Sequence, residues 1–459
     1  MRSALPTFDE IWQRKFRHRL LIQAQQFPAD TVFLIGCSGG MDSMLLLHLM
    51  SELFPHKVRA IYIDHQLQSS SRAWGVFVQN FAQQSHIPFT IQPVIVDTGN
   101  LENQAREARY AAFESHLKSN EVLVLAHHQQ DQTETVLLRL LSGSGVKGLG
   151  AMKEIEQKKN ICCWRPMLSV SRQQIEHWVE HLKIPYIQDL TNFDTTYDRA
   201  WCRETVWPVL QKRFPKMQEA ISRTSILMQD ADEILHEVLQ QDLNQCGDIN
   251  HLDLSRLQQL SLARQRQLLS FWMKGKAIYR PAFEMVERVQ QEVICAKADA
   301  KAALHWNHHY YVRYQNILYR VEKNKYLQKD LVSNVVSTIE LQMDASLQLA
   351  SGVFQIQPMQ MGLSPQLFEQ PLQLLPRQGG EKIHLYGRVG HWPLKKAIQE
   401  AQILPWLRHT IQILALDNVM LGVFTPKGFW LAQSSYCEAG GWQPNLISDV
   451  NYLRVEQNS

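Results

Sequence analysis

Six residues, Ser38-Gly39-Gly40-Met41-Asp42-Ser43, stand between a short apolar, β-branched run and a helical pattern. Consecutive glycines let a backbone approach a polyanion closely. Their N–H groups and the N-terminus of the following helix then form an anion nest, and the hydroxyls of Ser38 and Ser43 add donors. Asp42 is the most informative residue, because a carboxylate beside phosphates is repelled unless a cation bridges them. The loop therefore predicts a nucleotide together with Mg²⁺. A turn merely capped by Ser and Asp is the competing reading, and the strand-to-helix context argues against it. The kinase-type loop, G-x-x-x-x-G-K followed by Ser or Thr, occurs nowhere in the chain.

Other residues could complete a reaction. Asp131 and Glu134 lie three apart near the start of a helical pattern, hence on one face. Two such carboxylates could seat an ammonium group, and one of them, or His127, could accept its proton. From these residues alone, helix capping and dipole complementation are the stronger explanation of the pair. Arg109, Arg199 and Arg203 carry forks suited to phosphate oxygens; for Arg109, an ion pair with Glu107 or Glu114 is the simpler alternative. His128 is read as a structural histidine. Cys162 and Cys163 are adjacent and no C-x-x-C occurs, which argues against a zinc or iron–sulfur centre. Gly143-Ser-Gly145-Val-Lys-Gly148 matches a dinucleotide fingerprint in form only. It follows a helix instead of a strand, so it reads as a mobile loop.

The elements that must position these residues alternate. Strands are expected at Thr31–Gly36, Val58–Asp64, Phe89–Val96 and Glu121–Ala126. Helices are expected at Met41–Leu53, Ser71–Gln84, Leu101–Lys118 and Gln130–Leu141. The pattern predicts an α/β fold, a doubly wound parallel sheet with helices on both faces. Ligands of such sheets bind at the carboxyl ends of the strands. Cys37–Ser43, Asp64-His65 and His127-His128 all fall at that edge. Beyond Pro208 and Pro215 come long helical runs, Met217–Leu243 and Arg280–Ala300, and then a strand-like stretch over Ala303–Val321. Leu341–Leu375 is Gln-rich with little periodicity, and Pro393–Ala401 looks helical. Three domains are expected: 1–216 catalytic, 217–328 mainly helical, and 329–459 a small α+β domain.

The 459 residues, 45% hydrophobic and 20% charged, suit an ordinary globular protein. No run approaches the length of a membrane span, and the first thirty residues lack the pattern of a signal peptide. Seven cysteines without regular spacing suggest a reducing cytoplasm instead of a disulfide scaffold. A net charge of +3 does not by itself announce nucleic-acid binding.

Ser38–Ser43 resembles the pyrophosphate loop of the N-type ATP pyrophosphatases, also called the PP-loop family. Further segments resemble, in order along the chain, the tRNA(Ile)-lysidine synthetases. These are Ile61–Leu67, Asn103–Tyr110, Ala126–Thr135 with Gly143–Leu149, Asp189–Asn192 with Tyr197–Arg203, Gln291–Ala300, Leu394–Lys396 and Pro405–Arg408. The chain departs from the usual pattern at Gln130, Ser142, Thr191 and Ala200.

The resemblance implies a fold of the adenine nucleotide alpha hydrolase-like type. It also implies a ligase that uses ATP and Mg²⁺, adenylates the wobble cytidine of tRNA(Ile) with a CAU anticodon, and attaches L-lysine at C2. ATP would lie on Ser38–Ser43, including Met41. Asp42 would hold the metal, and Asp131 and Glu134 would hold lysine. Asp42, Arg109, His127, Asp131, Glu134, Arg199 and Arg203 would serve the chemistry. Lys395, Lys396 and Arg408 would touch tRNA, with Tyr310-Tyr311-Val-Arg313-Tyr314, Lys382 and Arg388 as further candidates. No membrane is expected as a partner, and a homodimer stays open. Alternatives are another PP-loop enzyme (a tRNA thiolase or small-molecule synthetase) or a catalytically retired RNA-binding protein.

Overall fold

Val32–Gly36 (β1) is apolar because helices cover it on both sides; Phe33, Leu34 and Ile35 are buried. It pairs in parallel with Val58–Asp64 (β2) on one side and Glu121–Leu125 (β4) on the other. Phe89–Pro93 (β3) continues outward from β2. Ile155–Lys158 (β5) and Ile161–Trp164 (β6) form an antiparallel hairpin whose second strand runs parallel to β4. The order is β3-β2-β1-β4-β6-β5. Strand succession therefore reverses between β1 and β4, which opens a crevice at their carboxyl ends. The computed structural model describes residues 11–96, 101–158, 160–189, 193–277, 279–297, 302–328 and 336–449.

The helices of this unit include Ile11–Ala24 (α1), Met41–Leu53 (α2), Ser71–Gln84 (α3), Leu101–His116 (α4), Gln129–Leu141 (α5), Val146–Leu149 (α6), Arg172–Leu182 (α7) and Asp198–Trp201 (α8). A π-helical turn, Cys202–Val206, follows α8 directly. Helix α2 is apolar around nearly its whole circumference, since it is sandwiched between the sheet and α7. The expected strand and helix alternation is thus present. Three differences have physical causes. The hairpin β5–β6 is too short and mixed in polarity to announce itself by period. Residues 341–375 hold strands at Ser346–Leu349, Gly352–Leu363 and Leu372–Pro376, whose glutamines alternate with core positions. Residues Gly143–Gly148 form a tied turn, in which Ser144 N–H donates to Arg139 O and Arg139 Nη1 donates to Gly148 O at 2.8 Å.

The chain divides into two compact units, Met1–Glu237 and Val238–Ser459. In the second, His251–Asp253, Ala303–Trp306, His309–Tyr314 and Ile317–Glu322 form an antiparallel sheet. Val312, Val321 and Tyr326 share a core with Ile383, Leu394, Ile398 and Trp406. The expected helix from Arg280 is observed as Phe283–Arg288 with a π-helical extension to Ile294, and residues 298–300 lie outside the described set.

Candidate active site

The loop after β1 is held open by its own hydroxyls. Ser43 Oγ donates to Gly40 O at 2.9 Å and accepts from Ser38 N–H at 3.2 Å. Gly39 has φ +86°, and a Cβ there would sit 3.0 Å from Ile187 Cδ1. Its carbonyl accepts from Ile187 N–H at 2.9 Å. Gly40 opens α2 with no side-chain cap, leaving the first N–H groups of the helix for an anion. Ser38, Gly40, Asp42 and Ser43 line a cavity of about 690 Å³ at this strand edge. Met41 is buried in the core, so only its backbone can serve a nucleotide.

Asp42 Oδ1 is buried without a hydrogen-bond partner. Oδ2 lies 3.8 Å from His128 Nε2 and 3.9 Å from Arg172 Nη1. Burial pushes this carboxyl above its ordinary range, and Asp131 adds to that, although His128, Arg172 and Arg203 pull against it. An under-compensated carboxylate with an orphan oxygen in a phosphate loop fits a divalent cation. No group of three or more His, Cys, Asp or Glu that could hold a metal occurs among the described residues.

Helix α5 begins beside this loop. His128 caps it: Nδ1 accepts from Gln130 N–H at 3.2 Å, while Asp131 Oδ2 accepts from His128 N–H at 2.9 Å. With Nδ1 an acceptor, the proton of the neutral ring sits on Nε2. Nε2 faces both Asp131, at 3.6 Å, and Asp42. His128 is therefore more than a packing histidine. Its capping position between two cavity carboxylates is a tertiary fact with no signal in the sequence. Burial raises the Asp131 carboxyl, but His128, His127 and the His128 N–H outweigh it and hold the group below its ordinary value. For His127, burial first and then Arg165, Arg109 and Arg106 drive the imidazole down to about 3, against the pull of Asp131. Its Nδ1 is buried and unpartnered.

Glu134 is 0% exposed. Arg203 Nε donates to Oε1 at 3.0 Å and Nη2 to Oε2 at 3.1 Å, while Gln130 Nε2 donates to Oε1 at 3.0 Å. Asp131 thus lines the cavity, whereas Glu134 is turned into a buried bidentate pair. Arg109, Arg199 and Arg203 reach the cavity as expected, joined by His65, Gln68 and Trp74. Arg172 is a further cation that sequence reading missed, since it lies far along the chain.

The expected tRNA contacts fare unevenly. Lys395 and Lys396 are exposed on Leu394–Glu400, with Lys396 Nζ 4.7 Å from the Trp392 ring centroid. Lys382 is exposed, while Arg388 pairs with Glu400 at 2.8 Å. Arg408 instead donates from Nε to Ile403 O at 3.0 Å and lies 3.4 Å from Tyr314 Oη. Tyr311 is fully buried, its hydroxyl donating to Met273 O at 3.1 Å. Arg313 Nη1 is held by the carbonyls of Ile294 and Ala296. Tyr310 stacks on Tyr326 at 4.3 Å. That aromatic–basic run reads as RNA-facing in sequence, yet its strand buries Tyr311 and spends Arg313 on backbone carbonyls. Leu190–Asn192 lie outside the described residues.

Residues 11–210 match a PP-loop domain, 252–319 a TilS substrate binding domain and 372–443 a TilS substrate C-terminal domain. The chain is similar to the tRNA(Ile)-lysidine synthase of Actinobacillus pleuropneumoniae serotype 3 (strain JL03). The two are 36% identical over 310 residues, covering 67% of this chain and 72% of that one. It is also similar to the tRNA(Ile)-lysidine synthase of Legionella pneumophila (strain Lens), at 33% identity over 393 residues, 84% of this chain and 89% of the other. Among solved structures, a U34-tRNA thiolase from Methanococcus maripaludis aligns with TM-score 0.37 and 17% identity. That alignment covers 48% of this chain and 79% of that one. With a phosphate loop, its facing carboxylates and this degree of likeness over most of its length, the chain belongs to the tRNA(Ile)-lysidine synthase family.

Proposed function

We propose that the protein is a ligase joining L-lysine to C2 of the wobble cytidine of tRNA(Ile) with a CAU anticodon, at the expense of ATP. The observation that carries this reading is the convergence of Ser38–Ser43, Asp42, His127, Asp131, Arg199 and Arg203 on one strand edge. The cytidine C2 oxygen attacks the α-phosphorus of ATP as the bond to pyrophosphate breaks. The lysine amine then attacks C2, the C2–O bond breaks, AMP leaves, and the amine loses a proton.

The loop N–H groups and the N-terminus of α2 hold phosphate oxygens. Mg²⁺ bound at Asp42 would neutralise pyrophosphate charge. Arg109, Arg199 and Arg203 offer donors to developing negative charge in a partly dry site. Arg203 comes to this task already oriented by Glu134 and Gln130. Asp131 is the natural seat for the lysine ammonium, while Glu134 acts through Arg203, which it holds at the cavity wall. His127 or Asp131 takes the amine proton; burial above all, and then nearby arginines, hold His127 down, and a bound triphosphate would offset only the arginines' part. Exposed Lys395 and Lys396 would contact tRNA phosphates. The catalytic domain would span 1–216, with 217–328 and 329–459 serving the tRNA. No helix among the described residues is long and apolar enough to cross a membrane, and the seven free cysteines fit a reducing cytoplasm.

The test is incubation with ATP, Mg²⁺, lysine and unmodified CAU-anticodon tRNA, followed by mass spectrometry of nucleosides. A lysine-dependent mass gain on cytidine is expected. Its absence beside an active control enzyme would overturn the reading. Thiolation would instead need a sulfur-carrying cysteine pair, and no C-x-x-C occurs in the sequence.

A further inference from the structure

One imidazole N–H stands between two carboxylates from different helices. His128 is 2% exposed and caps α5, a duty that occupies only its Nδ1, which accepts from Gln130 N–H at 3.2 Å. An acceptor at Nδ1 places the ring proton on Nε2. Nε2 lies 3.6 Å from Asp131 Oδ2 and 3.8 Å from Asp42 Oδ2. Both separations exceed a formed hydrogen bond, so the proton is shared by two oxygens and committed to neither. Asp42 stands in the first turn of α2 and Asp131 in the first turn of α5. Capping by itself asks for no donor at Nε2. Asp131 Oδ2 also accepts from His128 N–H at 2.9 Å, whereas no group among the described residues donates to its Oδ1. Asp42 Oδ1 is likewise without a partner. Each carboxylate therefore turns one oxygen toward this histidine and keeps the other uncommitted.

Resting on the proposed reaction, in which Asp42 holds Mg²⁺ and Asp131 seats lysine, we infer that His128 is a positioning residue that links the two seats. Before metal binds, Nε2–H is divided between Asp42 and Asp131. A divalent cation on Asp42 cancels that carboxylate's pull on the N–H. Nε2–H then turns to Asp131 Oδ2, which with the capping N–H holds the carboxylate by one oxygen and presents Oδ1 to the amine. The lysine seat is therefore tighter when Asp42 is metal-bound, and the metal seat gains by the same factor when lysine is bound. Charge alone predicts the reverse, because a divalent cation repels an ammonium ion. The link suits a reaction in which adenylation precedes the attack of lysine.

The experiment measures Kd for lysine by calorimetry at saturating ATP, once with Mg²⁺ and once with EDTA. In wild type, Mg²⁺ should tighten lysine binding about 10-fold, as one hydrogen bond to a charged group allows. His128→Asn keeps an acceptor at the Nδ1 position, so the cap and Tm should survive, but its amide stops one atom short of Nε2. Its lysine Kd should no longer improve with Mg²⁺. His128→Gln reaches the Nε2 position with an amide N–H, and should keep the Mg²⁺ effect while weakening the cap and lowering Tm. A purely structural role predicts the opposite order, with Asn harmless and Gln damaging. A Mg²⁺ effect that persists in His128→Asn overturns the link. If both variants unfold, the wild-type comparison decides. Wild type that binds no lysine in either condition overturns the proposed reaction and the link together, whereas lysine binding indifferent to Mg²⁺ overturns the link alone.

Discussion

Arg203 grips both carboxylate oxygens of Glu134 across 69 positions of sequence, at 3.0 and 3.1 Å, and Glu134 has no exposed surface at all. Burial drives the Arg203 guanidinium toward losing its proton, but Glu134 more than restores it. The pair fixes one cation at the cavity wall and ties the π-helical turn after α8 to α5.

Breaking that pair should be costly. Arg203→Ala leaves a buried carboxylate uncompensated and should destabilise the fold by about 3–5 kcal/mol. Glu134→Gln, which removes the charge but keeps the shape, should cost less while lowering kcat through a loosely held Arg203. Urea unfolding beside single-turnover kinetics checks the order; equal stability of wild type and Arg203→Ala would refute it.

Asp42→Asn should leave the fold intact, since Oδ1 has no protein partner to lose. Loss of the cation ligand should weaken Mg²⁺-dependent ATP binding by about 10-fold or more, equivalent to about 1.4 kcal/mol. Calorimetric titration with and without Mg²⁺ checks it. The metal dependence, present in wild type, should shrink in the variant.

Gly39→Ala forces a Cβ into a left-handed conformation and against Ile187. The strain should cost about 1–2 kcal/mol and shift the loop, so pyrophosphate affinity should fall together with Tm. A variant that binds pyrophosphate as well as wild type would show that the loop conformation is not needed.

His127 sets an acid limit on stability. Its folded pKa of about 3 lies below the ordinary histidine value. Between about pH 6.5 and 3 the unfolded chain therefore binds the proton that the native state refuses. Stability is fully present above pH 6.5 and falls on acidification, by up to about 1.4 kcal/mol per pH unit. The lowered Asp131 carboxyl acts with the same sign at lower pH. His127→Gln should flatten the upper part of that slope in chemical denaturation at pH 5 to 7.

Replacing Lys395 and Lys396 together by Ala should weaken tRNA binding at low salt and reduce the slope of log Kd against log salt by up to about 1.8 for duplex contacts, and about 1.4 for single strands. ATP binding should not change. An unaltered salt slope would remove these lysines from the tRNA surface.

The sequence by itself determined the alternation of strands and helices, because a parallel strand covered on both faces must be apolar and an amphipathic helix must repeat near 3.6. It also located the phosphate loop, since glycine takes the φ of +86° at Gly39 without strain and a strand-to-helix turn aims N–H groups at an anion. The edge where His65, His127 and Asp131 gather followed from the parallel sheet. What the tertiary structure alone decided is which charges meet. Asp131 and Glu134 share a helix face by spacing, yet three residues of rotation leave a 60° offset. Helix α5 packs against α8, turning Glu134 into the contact with Arg203 and leaving Asp131 at the cavity. His128 between Asp42 and Asp131, Arg172 beside Asp42, and the burial of Tyr311 depend likewise on elements brought together from distant parts of the chain. Local spacing fixes a side chain's direction on its own element, but only packing fixes what stands opposite it.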